Sequence, residues 1–344
     1  MKLTDYMASK RTFIIAEIGQ AHDGSIGILH SLVKAAASIG VDAVKFQVHI
    51  AEAESSMSEP FRINFSHIDA TRFDYWKRME LPFKEWEILK ALCDDLGVEF
   101  LATPFSNAAV DLLEKIGVKR YKIGSGDASN HLLLEKVCNT EKEIILSSGM
   151  SSTESLDETI GFLKKHKSLY SILQCTTKYP TKAEDIGLKY IDDFKQRYNC
   201  PVGLSDHSGK IYAGIAAVAV GASIIEAHIT FDKRMFGPDA ESSLTVKDFS
   251  KLVEGIRFTE KATTGYNKEA LNKNSTELAR IFGKSLSVNK DLKKGHIVSY
   301  DDLEGKKPSD IGIPINQYTQ IIGKQLTQDK KRGDFLIAAD IYFD

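Results

Sequence analysis

The chain has 344 residues, 42% of them hydrophobic, which is enough to bury one large core or two smaller ones. Its 45 Lys and Arg residues against 47 Asp and Glu leave a formal charge of −2, a balance that predicts neither a nucleic acid nor a membrane as partner. No apolar run approaches the roughly 20 residues of a membrane span, residues 1–10 lack the apolar stretch of a signal peptide, and the four cysteines form no CxxC pair. We therefore expect a reduced, soluble, cytoplasmic protein.

Short β-rich apolar runs alternate along the chain with longer amphipathic segments. The first pair is a strand at 13–17 and a helix at 26–39, in which Ile28, Leu29 and Leu32 share one face. Further strands are predicted at 42–48, 98–102, 119–123, 143–147, 170–175, 201–204 and 223–228. Helices are predicted between them at 83–96, 106–116, 130–138, 153–166, 186–198 and 208–220, with one more at 246–262. Eight strand–helix pairs in about 250 residues are typical of a (β/α)8 TIM barrel.

A doubly wound open sheet is the main alternative fold. Such a sheet usually has fewer strands and a glycine-rich turn after its first strand. Residues 19–24, GQAHDG, follow the first predicted strand and do not form a GxGxxG sequence. The barrel is therefore the favoured fold.

One connection is much longer than the others, since more than thirty residues separate Val48 from Pro82. Loops of this length in compact domains are usually functional covers or disordered segments, and the aromatic and arginine residues of this one argue against disorder. A packed surface excursion with its own short helix and a cover over a substrate are the two interpretations that stay open.

The pattern changes after the eighth helix. A polar stretch from Thr263 to Glu277 predicts a linker, and short strands with Gly and Pro turns follow from about Ser285. We expect a barrel domain at 1–265, a linker at 266–284 and a small β-rich domain at 285–344. A domain of that size has a marginal core, so it should dock against something larger.

Polar residues gather at the predicted carboxyl ends of the strands, where TIM barrels form their active sites. Lys45 and Lys122 lie near two of these ends, and Ser125, Ser147 and Ser205 lie near others. Ammonium groups, hydroxyls and backbone N–H groups are what phosphate oxygens require. The pattern favours a phosphate site over two lysines that merely extend to solvent.

His207 and His228 lie at or beside the ends of the adjacent seventh and eighth strands. Two imidazoles that converge there suit a divalent transition metal with open positions for water or a substrate oxygen. From the residues alone, a metal site and a pair of hydrogen-bonded core histidines are equally supported. Most of the other histidines, His49 among them, are more simply explained as ordinary side chains. The sequence contains neither a GxSxG elbow nor a GxxxxGK[ST] loop, which argues against a serine hydrolase and a P-loop site.

Eight short motifs follow one another along the predicted barrel: FIIAEIGQAHDGS, DAVKFQ, FLATPFS, YKIGSGD, ILSSGM, CTTKYP, GLSDHS and EAHIT. In this order and spacing they resemble the sialic acid (N-acetylneuraminate) synthase family, which includes legionaminate and pseudaminate synthases. The tail motifs DLKKGHIVSYDDL, KKPSDIGIP and IIGKQL resemble the antifreeze-like (SAF, β-clip) domain that follows the barrel in these enzymes. The likeness covers nearly the whole chain.

The resemblance implies an enzyme that condenses phosphoenolpyruvate with an N-acetylmannosamine-like aldose and water, giving a nine-carbon 2-keto-3-deoxy acid and phosphate. It implies that His207 and His228 hold Mn²⁺ or Mg²⁺, and Asp23 and Asp127 are our candidates for proton transfers. The residues implied around phosphoenolpyruvate are Lys45, Gln47, Thr103, Lys122, Ser125, Ser147 and Ser205. Those implied near the sugar are Phe105, Thr177, Tyr179, Asp239 and Lys307. The family also implies a domain-swapped homodimer in which each tail domain closes the partner's barrel mouth.

Four positions depart from the usual family motifs, all near the expected sugar side: Ala21, Asp127, Thr177 and Lys307. We therefore expect phosphoenolpyruvate to be used, but with a relative of N-acetylmannosamine as acceptor, such as a 6-deoxy or diacetamido sugar. An octulosonate- or heptulosonate-type enzyme that also joins phosphoenolpyruvate to an aldose is an alternative, although such enzymes lack the β-rich tail. A non-catalytic sugar-binding protein is the alternative from a different class.

Overall fold

A computed structural model describes residues 11–265, 267–270 and 276–343. The chain divides into two compact units, Met1–Gly265 and Tyr266–Asp344. Two sequence predictions fall partly or wholly outside the described residues. They are the absence of a signal peptide in residues 1–10 and the part of the linker at 266 and 271–275. Within the described ranges, no helix combines the length and the apolar character needed to cross a membrane.

Eight parallel strands of the first unit close into a barrel. They are β1 (Phe13–Glu17), β2 (Ala43–Val48), β3 (Glu99–Pro104), β4 (Arg120–Ile123), β5 (Glu143–Ser147), β6 (Tyr170–Cys175), β7 (Val202–Asp206) and β8 (Ile224–Thr230). Each strand pairs with the next, and β1 also pairs with β8, which places Phe13 opposite Ile224 and Glu17 opposite His228. A short strand, β9 (Leu244–Thr245), pairs in parallel with the end of β8, where Ile229 lies opposite Leu244. The closed ring confirms the predicted TIM-type barrel and excludes the open doubly wound sheet.

Helices alternate with these strands. They are α1 (Ile26–Ser38), α2 (Ala51–Glu54), α3 (Arg72–Met79), α4 (Phe83–Asp95), α5 (Asn107–Ile116), α6 (His131–Cys138), α7 (Thr153–Lys165), α8 (Tyr190–Tyr198), α9 (Tyr212–Ala219) and α10 (Val246–Thr264). Side-chain caps set several starts; Ser106 Oγ, for example, accepts a hydrogen bond from Ala109 N at 3.2 Å. Helix α8 begins later than the predicted residue 186, because Gly187 adopts a φ of +69° that a right-handed helix does not contain.

Strand alternation divides the barrel interior into an apolar layer and a polar layer. The apolar layer is one buried cluster of Phe13, Ile15, Ala43, Leu101, Ile145, Leu173 and Ile224. Two residues further along their strands, the inward positions are charged, as at Glu17, Lys45 and Glu226. Because residues two apart share one face of a strand, the apolar layer supports a polar site directly above it.

The long connection after β2, here called the cover segment (residues 49–81), is packed rather than extended into solvent. Thr71 and Asp74 form a capping box at the start of α3. A small apolar cluster holds the segment together; it contains Ala51, Tyr75, Trp76 and Met79, with Phe61, Phe65 and Phe73 against it. The aromatic residues that argued against disorder therefore form a core of their own.

The second unit has a small separate core and little regular structure. Its strands are β10 (Ser285–Val288) and β11 (Leu303–Lys306), which pair antiparallel, and its helices are α11 (Thr276–Phe282) and α12 (Tyr318–Ile321). Residues 291–293 and 329–331 of this unit are joined by two ion pairs. Lys293 pairs with Asp329 and Lys331 pairs with Asp291, both at 2.8 Å. Its assignment as an antifreeze-like domain stays a prediction.

Asp302 is a buried carboxylate at the centre of the polar contacts in this unit. Its side chain is 2% exposed and lies 2.7 Å from Lys290 Nζ and 2.8 Å from His296 Nε2. Its Oδ2 accepts a hydrogen bond from Ser299 N at 2.8 Å. Burial opposes the charge, but these contacts outweigh it and lower the pKa of Asp302 below its usual range. We expect Asp302→Asn to destabilise the second unit by about 1–3 kcal/mol at pH 7.

The effect of Asp302→Asn should depend on pH. A carboxylate whose pKa is lowered by folding stabilises the fold above the unfolded-state pKa of about 4, and this contribution is lost as the pH falls through the folded-state pKa. Calorimetric unfolding of wild type and variant from pH 7 downward should therefore converge below pH 4. The exposed neighbour Asp301 supplies the control, Asp301→Asn. An equal loss in that control, or a difference unaffected by pH, would contradict this role.

Candidate active site

The polar layer lines a cavity of about 470 Å³ at the carboxyl ends of the strands, a volume common for small-molecule sites. The strand residues that line it are Glu17, Lys45, Gln47, Thr103, Lys122, Ser147, Cys175, Ser205, Glu226 and His228. The loops after the strands contribute Gln20, Phe105, Gly124, Ser125, Gly126, Asp127, Met150, Thr177, Tyr179, His207, Pro238 and Asp239. The cover segment adds His49, Glu54, Glu59, Arg62, Arg72 and Trp76. The segment is therefore both a packed excursion and a wall of the cavity.

Two lysines and two carboxylates form the base of the cavity. Lys45 Nζ lies 2.5 Å from Glu17 Oε2 and 3.9 Å from Glu226 Oε2, and it donates to Thr103 Oγ1 at 3.3 Å. Lys122 Nζ lies 3.2 Å from Glu226 Oε1. All four charged side chains are at most 5% exposed. Charges buried this deeply are tolerated only because they compensate one another.

The compensation is unequal between the two lysines. Burial opposes the charge of Lys45, but the Glu17 and Glu226 carboxylates outweigh it and raise the pKa of Lys45. Burial prevails at Lys122, where Glu226 attracts and Lys45 repels, so the pKa of Lys122 is lowered. Burial also opposes the charge of Glu226, yet the two lysines and the Ser205 hydroxyl hold its pKa below the usual range of a glutamate. The protein's own carboxylates do not fully offset the cost of burying the charge of Lys122. An anion bound next to Lys122 would therefore stabilise its charged form.

Serine hydroxyls and a close-packed turn border the lysines. Ser125 Oγ accepts a hydrogen bond from Gly149 N at 3.0 Å, which joins the loops after β4 and β5. A Cβ on residue 149 would lie only 2.5 Å from Thr177 Oγ1 and 2.8 Å from Ser125 Oγ, so this approach requires glycine. Ser147 Oγ is buried and has no hydrogen-bond partner among the described residues. Its hydrogen-bonding capacity is therefore left to a ligand.

His207 and His228 face each other, with ring centroids 5.4 Å apart and ring planes at 46°. Burial, followed by the neighbouring His228, lowers the pKa of His207 to about 3, so this ring is neutral, as a metal ligand must be. Hydrogen bonding with the Thr176 backbone helps to orient it. The described part of the chain contains no group of three or more His, Cys, Asp or Glu side chains that could hold a metal. The pair therefore suits an ion that keeps several positions for water or substrate.

The upper wall joins the cover segment to loops from the far side of the barrel. Arg62 Nη2 lies 2.8 Å from Asp239 Oδ1, and the guanidinium carbon lies 4.1 Å from the Tyr179 ring centroid. The Tyr179 ring in turn lies 4.3 Å from the His207 ring. The cover segment thus reaches the part of the cavity that holds the two imidazoles.

The sequence that builds this site matches a known protein family. The model of the NeuB family matches residues 32–268, most of the barrel and well over half of the chain. The chain belongs to the NeuB family. Among its relatives, the N,N'-diacetyllegionaminic acid synthase of Campylobacter jejuni is 34% identical over 95% of this chain and 99% of that enzyme. A pseudaminic acid synthase of Campylobacter jejuni is 31% identical over 99% of both chains.

A solved structure agrees with the fold. The crystal structure of the N-acetylneuraminic acid (sialic acid) synthetase from Leptospira borgpetersenii, in complex with citrate, matches with a TM-score of 0.68 and 32% sequence identity. The match covers 78% of this chain and 93% of that one. The family likeness inferred from the motifs is thereby confirmed.

Most of the residues that the motifs suggested come together in the NeuB barrel. All those predicted around phosphoenolpyruvate line the cavity, and so do Phe105, Asp127, Thr177, Tyr179 and Asp239. Asp23 is not among the described lining residues; its Oδ1 instead lies 2.7 Å from Arg78 Nη1. Lys307 belongs to the second unit, where its Nζ lies 5.0 Å from the Phe282 ring centroid. The role of each of these residues stays a prediction.

The motif analysis left out several charged or polar residues of the cavity. Glu17 and Glu226 stand at the predicted strand ends, and the motifs gave them no role; Glu226 shares the inward face of β8 with His228, two residues further on. The same alternation continues through Lys45, Gln47 and His49, so the explanation of His49 as an ordinary side chain overlooked a usable signal. Arg62 offers no such pattern, because tertiary folding alone brings it to the cavity.

Proposed function

We propose that the chain is a nonulosonic acid synthase that joins phosphoenolpyruvate to an N-acetylated aldose. Carbon 3 of phosphoenolpyruvate bonds to the aldehyde carbon, water adds to carbon 2, and the resulting intermediate expels inorganic phosphate. A nine-carbon 2-keto-3-deoxy acid is the other product. The observation that carries this proposal is the base of two buried lysines and three serines beside two facing imidazoles, in a chain of the NeuB family.

The phosphate and carboxylate of phosphoenolpyruvate are proposed to bind at the lysines. Lys122 is the less compensated of the two buried lysines, and Ser147 Oγ has no protein partner among the described residues. Fixed ammonium and hydroxyl groups there stabilise the negative charge that moves onto the departing phosphate. Gln47, whose Nε2 donates to Glu17 Oε1 at 2.7 Å, holds one wall of this pocket.

His207 and His228 are proposed to hold Mn²⁺ or Mg²⁺. The two buried rings face each other, and burial keeps that of His207 neutral, which fits such an ion; when bound, the ion would supply Lewis-acid polarisation of the aldehyde oxygen. Asp127 is the proposed proton-handling group. It lines the cavity, burial raises its pKa, and Asn130 Nδ2 donates to its Oδ1 at 2.9 Å. A carboxyl group with a raised pKa takes up a proton more readily than an ordinary one, which suits a proton-transfer role.

Release of phosphate from phosphoenolpyruvate tests the proposal. We expect release that depends on both an N-acetylated aldose and Mn²⁺ or Mg²⁺, that stops with a chelator, and that accompanies a nine-carbon keto acid by mass spectrometry. A non-catalytic sugar-binding protein would bind the aldose and release no phosphate. A heptulosonate- or octulosonate-type enzyme would accept the corresponding shorter aldose phosphates instead.

The acceptor is proposed to be a relative of N-acetylmannosamine, such as a 6-deoxy or diacetamido sugar. The departures at Ala21, Asp127 and Thr177 support this, as does the 34% identity to a diacetyllegionaminic acid synthase. Turnover with a panel of acceptors is the test. A clear preference for N-acetylmannosamine would refute it.

Arg62 is expected to act on the acceptor and not on phosphoenolpyruvate. Its contacts with Asp239 and Tyr179 hold the sugar-side wall, while its side chain is 38% exposed, so the loss should be modest. We expect Arg62→Ala to raise the KM for the aldose about fivefold, which corresponds to ~1 kcal/mol, with an unchanged KM for phosphoenolpyruvate. Arg234→Ala, which breaks a comparable ion pair with Asp232 outside the lining, is the control. Equal changes in both KM values would contradict the assignment.

The proposed assembly is a homodimer in which the tail domain closes the partner's barrel and brings Lys307 to the sugar. Light scattering after size exclusion should give twice the 38.2 kDa mass of one chain. A monomer with full activity would exclude this arrangement.

A further inference from the structure

His49 is held between two aromatic rings at the cavity wall. Its ring centroid lies 3.9 Å from that of Trp76 and 4.5 Å from that of Phe105, with interplanar angles of 18° and 10°. The side chain is buried. Stacking on both faces fixes the plane of the imidazole, so its two nitrogens act only at the ring edge.

Both nitrogens have polar partners in that plane. Nδ1 lies 2.7 Å from Glu54 Oε1, while Nε2 lies 3.1 Å from Gln20 Nε2 and 3.2 Å from Gln47 Oε1. Gln20 Nε2 also donates to Gln47 Oε1, and Gln47 Nε2 donates to Glu17 Oε1 at 2.7 Å. A continuous chain of hydrogen bonds thus runs from the cover segment to the base of the cavity.

For a neutral imidazole, one arrangement of protons gives every donor in this chain an acceptor. In it, Nε2 of His49 and Oε1 of Gln47, which lie 3.2 Å apart, both accept from the Gln20 amide and do not bond each other. The carboxylates of Glu54 and Glu17 can only accept, and the amide nitrogens of Gln20 and Gln47 can only donate. Neutral His49 must therefore carry its proton on Nδ1, donate it to Glu54, and accept from Gln20 at Nε2. Both ends of the chain then require the same orientation of the Gln47 amide, with its oxygen toward Gln20 and its nitrogen toward Glu17.

We propose that His49 and Glu54 are positioning residues that fix the amide of Gln47 and, through it, the carboxylate of Glu17 beside Lys45. This inference rests on the proposed function, because Gln47 and Lys45 are there assigned to phosphoenolpyruvate. Glu54 and Trp76 both belong to the cover segment, whereas Gln47 and Lys45 lie on β2. His49 and Glu54, here called the dyad, therefore link the two parts of the cavity. The geometry of the phosphoenolpyruvate pocket depends, through the dyad, on how the cover segment packs.

Kinetics of matched variants test the proposal. His49→Phe keeps the stacked ring but removes both nitrogens, and Glu54→Gln keeps the shape but removes the fixed acceptor. We expect each to raise the KM for phosphoenolpyruvate about tenfold, with a smaller change for the aldose. His131→Phe is the control, since His131 stacks on Phe162 with centroids 4.6 Å apart and does not line the cavity. A similar effect in that control would overturn the proposal.

A double-variant cycle separates positioning from general loss of packing. If His49 acts through Gln47, then His49→Phe should cost nothing further in a Gln47→Ala background. Additive effects would mean that His49 acts by another route and would overturn the proposal. Thermal midpoints of all variants identify any that are simply less stable, and Glu54→Gln then carries the kinetic test.

The tautomer of His49 can be determined by NMR, without an activity assay. In long-range ¹H–¹⁵N spectra of the ¹⁵N-histidine-labelled chain, with the signal assigned by its loss in His49→Phe, we expect protonated Nδ1 and unprotonated Nε2 in wild type. Glu54→Gln should mix the two tautomers. An Nε2–H tautomer or a doubly protonated ring in wild type would overturn the dyad. Failure to release phosphate with any acceptor would refute the proposed function while leaving this spectrum to decide the role of the dyad.

Discussion

Replacement of His207 by alanine is expected to reduce metal-dependent phosphate release about a thousandfold or more, a loss that corresponds to ~4 kcal/mol of transition-state stabilisation. The same holds for His228→Ala. The two rings face each other at 5.4 Å with no third ligand group of His, Cys, Asp or Glu in the described ranges, so loss of either imidazole leaves a single protein donor. One imidazole alone does not hold a divalent ion against water.

Metal binding and folding must be measured separately for these variants. Titration with Mn²⁺, followed by electron paramagnetic resonance or calorimetry, should show binding to wild type and none to either variant. Circular dichroism should stay unchanged, because the core lies in the apolar layers and between strands and helices. His166→Ala, at the end of α7 and away from the cavity, should behave as wild type. Retained Mn²⁺ affinity in His207→Ala would remove the metal proposal.

Replacement of Lys122 by methionine is expected to raise the KM for phosphoenolpyruvate about thirtyfold, which corresponds to ~2 kcal/mol. Methionine fills the same space without a charge. Lys122 is 4% exposed and its pKa is lowered by burial, so a bound anion gains a nearby, poorly compensated cation. The KM for the aldose should change much less, since the sugar-side wall is formed by other residues.

A second substitution distinguishes lost substrate binding from the effect of leaving the buried Glu226 carboxylate without its Lys122 partner. Lys122→Met leaves Glu226 with Lys45 and Ser205 as partners, and part of any loss could come from that carboxylate. If Lys122→Met/Glu226→Gln restores stability but not the KM, the lysine binds phosphoenolpyruvate directly. Lys119→Ala, an exposed lysine just before β4, is the control. Full recovery of the KM in the double variant would contradict direct binding.

Local sequence patterns were sufficient for the barrel and for its polar layer. The eight strands were predicted to within two residues because short β-rich apolar runs and amphipathic helices are local signals. Lys45 and Gln47 could be placed on one face from their spacing alone, and the histidine pair from its position at the ends of two adjacent strands; the motif likeness added its expected metal role. The start of α8 was missed, since a single left-handed glycine at 187 outweighs a continuous helical pattern.

The sequence by itself predicted the eight strands, their barrel fold and most of the cavity residues at the strand ends, because apolar runs, helical periodicity and motifs are local features of the sequence. Only the tertiary structure decided how the charges compensate one another, since Glu226 meets both lysines across three different strands. It also decided that Asp23 turns to Arg78 and that Arg62 reaches Asp239, contacts separated by 55 and 177 residues. Contacts between such distant positions are set by the closed barrel and the packed cover segment, which no local pattern encodes.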